Sequence, residues 1–266
     1  MTVIALLADL HFGSVPPGLA EQLRQDLVRL APDLVVIAGD LTLQWRRREF
    51  DEAKRWLTSL PSRFLALPGN HDLPESNLFE RMFRPFSRYL KFIGQPLMPV
   101  YEDDTAFVLG LNTTASLPPT PRWREGVARR VDIANAGDCF ALARPGKTRI
   151  VVTHHPLVAG EGFLRARPVR RAKGALDRFA AQGVEILMSG YLHQSFAVEL
   201  RRPHGGIIAI GAPTSLSTRI RGEPNGFWLI DVQPDAVRLT LHSFDGASFA
   251  PGADPLCFHR RRTGTA

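Results

Sequence analysis

The chain has 266 residues, of which 44% are hydrophobic, a length and composition typical of one α/β domain spanning residues 1–266. Two cysteines, Cys139 and Cys257, are too few for a disulfide framework, and no run approaches the ~18 apolar residues of a membrane span. We therefore expect a cytoplasmic protein with no membrane span. The net charge of +7 would attract a small anionic substrate, or it reflects solvated arginine-rich surfaces. No DNA-reading motif or aromatic-interleaved basic strip accompanies this charge, which argues against a nucleic-acid partner.

Strand-like and helix-like patterns alternate along the first two thirds of the chain. Short apolar runs that end at polar or glycine residues predict buried strands, and apolar residues at helical spacing predict helices. The predicted strands are Thr2 to Ala8, Leu34 to Ala38, Phe64 to Leu67, Ala106 to Leu111, Ile150 to Thr153 and Glu185 to Ser189. The predicted helices are Pro17 to Leu30, Phe50 to Leu60 and Arg170 to Gln182. The first third therefore has the order βαβαβ.

Strands follow one another at close spacing after Gly190, which predicts a second and more antiparallel sheet. These strands are Phe196 to Leu200, Ile207 to Ile210, Gly226 to Val232 and Ala236 to Ser243. Two mixed sheets with helices on their outer faces form a four-layer αββα sandwich of the α/β class. The polar motifs would then project from strand carboxyl ends, where open α/β sheets place their ligands.

Two proline-containing stretches, Leu73 to Pro99 and Leu117 to Pro145, interrupt this alternation. The first carries an apolar stripe at helical spacing, made of Phe79, Met82, Phe83, Phe86, Tyr89 and Phe92. A helix packed on the core would explain the stripe. The alternatives are a helical cap over the active site at about 73–99 or a homodimer contact, since the segment starts directly after a polar motif.

Five short polar motifs stand where predicted strands end, and together they predict a two-metal site. Their side chains include Asp, Asn and His, the oxygen and nitrogen donors expected for Zn, Mn or Fe pairs. The motifs are Asp9-Leu10-His11, Gly39-Asp40, Gly69-Asn70-His71-Asp72, His154-His155-Pro156 and Gly190-Tyr191-Leu192-His193.

Donor geometry suggests roles for the first two motifs. Asp9 and His11 stand two residues apart on an extended segment, so their side chains face the same way and can hold one ion, the first metal. The Asp40 carboxylate has two oxygens and is suited to bridge two cations, since metals in such sites lie ~3.5–4 Å apart.

The remaining motifs complete the two sites. Asn70 offers a neutral carbonyl oxygen, while His71 is placed to approach the substrate without binding metal. His154 is the natural ligand of its pair, with His155 as a structural neighbour, and His193 returns to the first metal. His71 and Asp40 are therefore the candidate catalytic residues.

In this order, the five motifs resemble those of the calcineurin-like metallophosphoesterase superfamily over residues 3 to about 232. The tail from Gly211 to Asn225, which carries Thr214-Ser215, Arg219 and Arg221, further resembles the bacterial class III cyclic-nucleotide phosphodiesterase-like branch. The resemblance implies the αββα fold, two divalent or trivalent metal ions (Mn, Fe or Zn) and protonation of the leaving group by His71. The implied ligands are Asp9, His11, Asp40 and His193 for the first metal, and Asp40, Asn70, His154 and the residue at position 191 for the second.

The implied activity is hydrolysis of a phosphodiester, a cyclic nucleotide or similar small diester, by a metal-bridging hydroxide. Two divalent ions against Asp9, Asp40 and this hydroxide leave about one excess positive charge, which suits a phosphodiester monoanion. One alternative is an enzyme for another phosphoester, such as a nucleotide-lipid pyrophosphate or a nucleic-acid end. Another is a metal-deficient binding scaffold without catalysis.

Position 191 departs from the family motif, because Tyr191 stands where a His would bind the second metal. A phenol is a poor ligand unless it is deprotonated, and its free pKa of ~10 must fall considerably before it binds as phenolate. Three hypotheses stay open for this residue. They are a weak second site, phenolate ligation that favours ferric iron, and a sequence altered from a natural His.

Overall fold

The computed structural model describes residues 1–75, 77–116, 125–158, 167–201 and 206–260. The strands are β1 (Thr2–Leu7), β2 (Leu34–Ile37), β3 (Arg63–Ala66), β4 (Val100–Glu102), β5 (Ala106–Gly110), β6 (Thr148–Thr153), β7 (Val184–Ser189), β8 (Phe196–Leu200), β9 (Ile207–Gly211), β10 (Gly226–Val232), β11 (Ala236–Phe244), β12 (Phe249–Pro251) and β13 (Leu256–His259). The α-helices are α1 (Leu19–Leu30), α2 (Arg47–Thr58), α3 (Leu78–Phe83), α4 (Ser87–Phe92), α5 (Arg130–Leu142) and α6 (Ala172–Ala181), and one 3-10 turn covers Asn70–Asp72. Every strand and helix predicted above is present, with ends shifted by at most about three residues, as is usual for element boundaries.

The first sheet has the strand order β12-β11-β10-β1-β2-β3, and β13 also pairs with β11. Strands β1, β2 and β3 run parallel, with Ile4 opposite Leu34 in the register of β1 and β2. Strand β10 runs antiparallel to β1 and places Ile230 opposite Ile4. The three parallel strands therefore end at one edge of this sheet, next to the loops that carry the first three motifs.

The second sheet has the order β4-β5-β6-β7-β9-β8. Strands β5, β6, β7 and β9 run parallel, while the edge strands β4 and β8 are antiparallel to their neighbours. The middle residues of β6 and β7, Ile150 to Val152 and Ile186 to Met188, are apolar and buried, as expected for parallel strands that are covered on both faces.

The strands after Gly190 do not form a sheet of their own, so that part of the sequence prediction is wrong. Strands β8 and β9 extend the sheet that contains β5, β6 and β7, whereas the following strands extend the sheet that contains β1. Close spacing along the chain indicates antiparallel neighbours, but it does not determine which sheet each hairpin joins.

Three hydrophobic clusters define the four layers and confirm the αββα sandwich. Ile4 and Leu6 of β1 point between the two sheets, where they pack in the same cluster as Ile150. Ala5 and Leu7 point to the opposite face, because successive side chains of a strand alternate. The helices cover the outer faces with Leu23, Leu27, Phe50 and Trp56 from α1 and α2, and with Phe140, Leu176 and Phe179 from α5 and α6. Full burial of each such side chain contributes about 1.5–3 kcal/mol to folding.

The segment 73–99 forms two short helices, so the expectation of one continuous apolar stripe is wrong. Helix α4 packs on the core, and its buried Tyr89 donates a 2.7 Å hydrogen bond to the carbonyl of Ala66. In helix α3 the apolar side chains face solvent and a charged one faces inward. Phe79 and Phe83 are 72% and 60% exposed, while Arg81 is buried and donates to the carbonyl of Ser116 at 2.8 Å. The cap and homodimer hypotheses for this segment stay predictions.

The sequence does not predict helix α5, because its residues lie in the second proline-containing stretch and lack a clear apolar stripe. It buries Ala136 and Phe140 against the second sheet. The preceding residues 117–124 of that stretch lie outside the described residues. In the part of the chain that is described, no helix is long and apolar enough to cross a membrane.

Candidate metal centre

The five polar motifs meet at one end of the sandwich. Those after β1, β2 and β3 leave the first sheet, and those after β6 and β7 leave the second. Backbone hydrogen bonds join them: Asp9 donates to the carbonyl of Gly39, and Gly190 donates to the carbonyl of His154. The edges of the two parallel sets therefore converge on a single site, as the strand-end rule predicts.

Several motif residues have left-handed backbone conformations that non-glycine residues rarely adopt. The φ angles of Asp9, His11 and Asp40 are 54°, 44° and 54°, and those of Tyr191 and His193 are 71° and 58°. Asp9 and His11 therefore do not lie on an extended segment, and that part of the sequence prediction is wrong. Each left-handed residue lowers the stability of the folded state by roughly 1–3 kcal/mol, and contacts in the surrounding structure must compensate for this strain. The chain turns sharply at these positions, which brings the side chains of successive motifs to the same small volume.

The first group of donors consists of Asp9, His11 and His193, all of them buried. Nε2 of His193 lies 3.7 Å from Oδ1 of Asp9, and Nε2 of His11 lies 3.9 Å from the same oxygen. The two imidazole rings are parallel, with centroids 5.4 Å apart. The structure therefore brings together three of the residues predicted to hold the first metal, as a group that could hold a metal ion.

Asp40 lies between this group and a second donor group, which contains His154 and Asn70. Its Oδ2 is 3.7 Å from Nε2 of His11, while its Oδ1 is 3.4 Å from Nε2 of His154. Asp9, Asp40 and His154 also form a buried candidate ligand group. Oδ1 of Asn70 is 3.3 Å from Nε2 of His154. The two oxygens of Asp40 thus face different imidazoles, which is the arrangement expected of a bridging carboxylate.

Hydrogen bonds at Nδ1 determine the tautomer of each imidazole. Nδ1 of His154 is 2.7 Å from the carbonyl oxygen of Ala38, and Nδ1 of His11 is 3.3 Å from that of Thr42. A carbonyl only accepts, so both histidines carry the proton on Nδ1 and leave the Nε2 lone pair facing the site. Such outer hydrogen bonds orient imidazole ligands in metal sites.

His193 reaches the same tautomer through a hydroxyl. Thr214 donates its Oγ1 proton to the carbonyl of Arg219 at 2.9 Å, so it accepts at 2.7 Å from Nδ1 of His193. Thr214 has a single hydroxyl proton, and this chain of bonds therefore has one direction. The Nε2 lone pair of His193 then faces Asp9.

Burial strongly perturbs the charges of these groups. Burial raises the pKa of Asp9 well above its usual range, and the nearby Asp40 raises it further. Burial also acts to raise the pKa of Asp40, but the adjacent His154, His11 and His71 outweigh it and hold that pKa low. Burial lowers the pKa of His11 to about 4. Two carboxyl groups buried side by side oppose each other's ionisation, and a cation bound between them would relieve that repulsion.

The donor set fits metal ions. Oδ1 of Asp9 and Nε2 of His11 are buried and have no hydrogen-bond partner, and a buried polar atom in that condition costs about 1–3 kcal/mol. Nε2 of His154 and Oδ1 of Asn70 face each other although both offer electron pairs. Cations placed among these atoms would satisfy all of them at once.

Residues 2–194 match the calcineurin-like phosphoesterase family, a match that includes all five motifs and well over half of the chain. The chain belongs to the calcineurin-like phosphoesterase family. With the two donor groups, this membership implies a dinuclear centre for divalent metal ions in a phosphoric ester hydrolase. A probable cyclic nucleotide phosphodiesterase from Synechococcus sp. is 25% identical over 260 residues, which cover 91% of this chain and 92% of that protein.

Solved structures share the fold of this calcineurin-like phosphoesterase at low sequence identity. A dimetal phosphatase from Danio rerio superposes with a TM-score of 0.67 and 12% identity, over 98% of this chain and 99% of that one. A purple acid phosphatase from yellow lupin seeds superposes with a TM-score of 0.65 and 14% identity, over 98% of this chain and 54% of that one. GAP50, described as the anchor in the inner membrane complex of Plasmodium, superposes with a TM-score of 0.62 and 12% sequence identity. This match covers 98% of this chain and 89% of that one. The fold therefore occurs in proteins described as phosphatases and in one described as an anchor.

In this calcineurin-like phosphoesterase, Tyr191 lies at the second donor group. Its ring stands nearly perpendicular to that of His154, with centroids 5.6 Å apart, and is 4.6 Å from that of His155. Its backbone N–H donates to Oδ2 of Asp9 at 3.1 Å. The residue therefore holds the carboxylate of Asp9 through its backbone, while its ring occupies space beside His154.

His71 stands at the rim of the centre and is only half-buried. Its backbone N–H donates to Oδ1 of Asp40 at 2.9 Å, and its Nδ1 lies 2.7 Å from the carbonyl of Leu43. The ring therefore carries its proton on Nδ1 and directs Nε2 away from that carbonyl. Its ring centroid is 4.9 Å from that of His11. His71 is thus beside the donors without being part of either group.

Sequence reasoning missed residues that hold the motif loops in place. The sequence motif alone gives Asp72 no role, but its buried carboxylate accepts from the backbone N–H groups of Gly69, Leu41 and Thr42 at 2.8–3.0 Å. Burial, reinforced by Asp40, raises its pKa to about 7. Its place in the Gly-Asn-His-Asp motif beside Gly69 was visible in the sequence, whereas Leu41 and Thr42 come from the loop after β2.

Proposed function

We propose that this protein is a metal-dependent phosphodiesterase that hydrolyses a cyclic nucleotide or a similar small diester. The observation that carries the proposal is the position of Asp40, whose two oxygens face two different imidazoles in a site of buried donors. The name of the Synechococcus relative, a probable cyclic nucleotide phosphodiesterase, supports the choice of substrate class.

We assign the first metal to Asp9, His11, Asp40 and His193, and the second to Asp40, Asn70 and His154, with Tyr191 in the remaining position. The ions, which we propose to be Mn, Fe or Zn, would supply an activated water and neutralise charge on the phosphate. The Nδ1 hydrogen bonds leave the Nε2 lone pairs of His11, His154 and His193 available to hold an ion, and the backbone N–H of His71 fixes the carboxylate of Asp40, which would be shared by both metals. These contacts provide the positioning on which phosphoryl transfer mainly depends.

His71 is the proposed acid for the leaving group. Its Nδ1 proton is held by the carbonyl of Leu43, so Nε2 is the atom that would pass a proton to the departing alkoxide, once the ring has taken up a second proton there. The half-buried position of His71 at the rim suits contact with a substrate that approaches from solvent.

The charge of the site includes more than the ligands and metals. Arg219 and Arg221 both act to lower the pKa of Asp9, so their positive fields reach the centre. The excess of about one positive charge deduced from the ligands is therefore incomplete, and charge alone does not select a diester over a monoester. The diester assignment rests on the Synechococcus relative.

We propose further that Tyr191 makes the second metal site the weaker one. Its other ligands are the shared Asp40 and the neutral Asn70 and His154, so a missing imidazole removes one of only a few donors, and a single shared carboxylate supplies the negative charge. The packing of the Tyr191 ring against His154 and His155 supports this, because the ring stands beside the second group.

A hydrolysis panel with added Mn tests the function. Cyclic nucleotides, glycerophosphodiesters, and bis- and mono-nitrophenyl phosphate would be compared by kcat/KM. The proposal expects diesters to be preferred, and a clear monoester preference would contradict it. Metal analysis of protein purified without chelators tests the scaffold alternative, which expects no bound metal and no turnover of any ester in the panel.

Cytoplasmic location and homodimer formation stay predictions from the sequence. Cys139 and Cys257 are free thiols, which fits a reducing compartment. Light scattering of the purified protein would decide between monomer and dimer.

A further inference from the structure

Arg219 lies directly beside the proposed acid. Its Nη1 is 2.9 Å from Nε2 of His71, and the arginine side chain is otherwise exposed to solvent. A guanidinium group has five N–H donors in a planar fork, so most of its donors remain available after this one contact. In the described part of the chain, no carboxylate pairs with Arg219 within 4.0 Å. Arg219 is thus an exposed cation at the mouth of the metal centre, with no anionic partner among these residues.

The loop that carries Arg219 is attached to the metal centre at several points. Its backbone carbonyl accepts from Thr214, the residue that orients His193. The N–H of Thr218 donates to the carbonyl of Ser14 at 3.0 Å, close to the first motif. Asn225 donates to the carbonyl of Ser217 at 2.8 Å and closes the loop from the other side. A loop fixed in this way holds the arginine over the site, and an exposed surface arginine would need none of these contacts.

We propose that Arg219 binds a non-bridging oxygen of the substrate phosphate. The inference rests on the proposed function and names the residue that recognises the phosphoryl group. The oxygen that His71 would protonate is bonded to phosphorus. The non-bridging oxygens are bonded to the same phosphorus atom and are therefore its direct neighbours. A donor next to Nε2 of His71 is therefore correctly placed for one of these oxygens. A charge-assisted hydrogen bond there would strengthen as charge shifts in the transition state.

The alternative role for Arg219 is to position His71. The two roles differ in their dependence on the leaving group. A nitrophenolate departs readily without a proton, whereas the alkoxide of a cyclic nucleotide needs one. Loss of a phosphate contact impairs both substrates, while loss of a positioning contact impairs only the cyclic nucleotide.

The experiment compares Arg219→Ala, Arg219→Lys and the matched control Arg201→Ala. Arg201 is also exposed and follows β8, whose end at Leu200 pairs with the start of β9, so it lies at the opposite end of the sheet from the site. Every protein is saturated with Mn, and its metal content is measured. Calorimetry then gives the affinity for inorganic phosphate, and kcat/KM is measured for bis-nitrophenyl phosphate and for a cyclic nucleotide.

We expect Arg219→Ala to bind inorganic phosphate at least about tenfold more weakly and to lose about 10²-fold in kcat/KM with both substrates. Arg219→Lys should recover part of each loss, and Arg201→Ala should match the wild type. An unchanged phosphate affinity, or a loss confined to the cyclic nucleotide, would overturn the proposal. So would wild-type protein with full metal that binds no phosphate. If the wild type binds phosphate but hydrolyses neither ester, the proposed function fails while the phosphate titration still decides the role of Arg219.

Discussion

The hydroxyl of Thr214 lies 2.7 Å from Nδ1 of His193. Because Thr214 donates its proton to the carbonyl of Arg219, this hydroxyl fixes the tautomer of His193 and connects this proposed metal ligand to the loop that carries the exposed arginines. One buried side chain therefore links the metal centre to the proposed phosphate site. The remaining imidazole donors, His11 and His154, are oriented by backbone carbonyls instead.

Changing Thr214 to Val should weaken the first metal about 10–100-fold, the usual loss when the outer hydrogen bond of an imidazole ligand is removed. Valine has nearly the same shape, so the fully buried position keeps its packing. Thr214→Ser retains the hydroxyl and is the matched control. A calorimetric titration with Mn measures the affinity for the first metal in each variant. Equal affinities in the Val and Ser variants would show that this hydroxyl does not orient His193.

Changing Asp40 to Ala should abolish binding of both metals and nearly all activity. The carboxylate faces both His11 and His154, so its removal takes away the bridge and its negative charge together. Metal content after dialysis and turnover of the nitrophenyl diester are the measurements. Asp245→Ala, in the exposed turn after β11, serves as the control for a lost carboxylate. An Asp40→Ala protein with two metals and wild-type turnover would refute the bridging role.

Changing Tyr191 to His should tighten the second metal and lower the Mn concentration needed for half-maximal activity. An imidazole is a better ligand than a phenol at neutral pH, because it binds metal without first losing a proton from a group of pKa ~10. Tyr191→Phe keeps the ring and serves as the control. If Tyr191 binds ferric iron as phenolate, the wild-type protein should instead show a visible charge-transfer band that Tyr191→Phe removes. Two tightly bound ions, no such band and no effect of Tyr191→His would contradict both accounts.

Changing His242 to Phe should reduce the loss of stability at acidic pH. Burial lowers the pKa of His242 below 6.5, so the unfolded state takes up a proton before the folded state does, and stability falls as the pH drops below about 6.5. Phenylalanine cannot titrate and can keep the ring contact with Phe227, whose centroid is 5.0 Å away. The difference should reach at most about 1.4 kcal/mol per pH unit.

Urea unfolding of both proteins at pH 7.5 and 5.5, at one fixed metal concentration, measures this effect. Other buried histidines are common to both proteins, so their contribution cancels in the comparison. A His259→Gln variant, altered at an exposed position of β13, should follow the wild type. Identical acid sensitivity in His242→Phe and wild type would show that His242 does not contribute.

The amino-acid sequence by itself determined the strand ends that carry the metal donors and the order of those donors along the chain. Apolar runs that stop at Asp9, Asp40 and His154 predict buried parallel strands. Parallel strands of one sheet run in the same direction, so their carboxyl ends lie at the same edge. The convergence of these side chains therefore followed from local patterns.

Only the tertiary structure decided how the C-terminal strands are distributed and which residues surround the donors. The antiparallel pairing of Ile4 with Ile230 is long-range, and alternation within a strand is equally compatible with either sheet. The contact between Arg219 and His71 depends on that pairing, since the loop leads into β10, which docks beside β1. Side-chain contacts between segments far apart in the chain arise from packing, and no local periodicity encodes them.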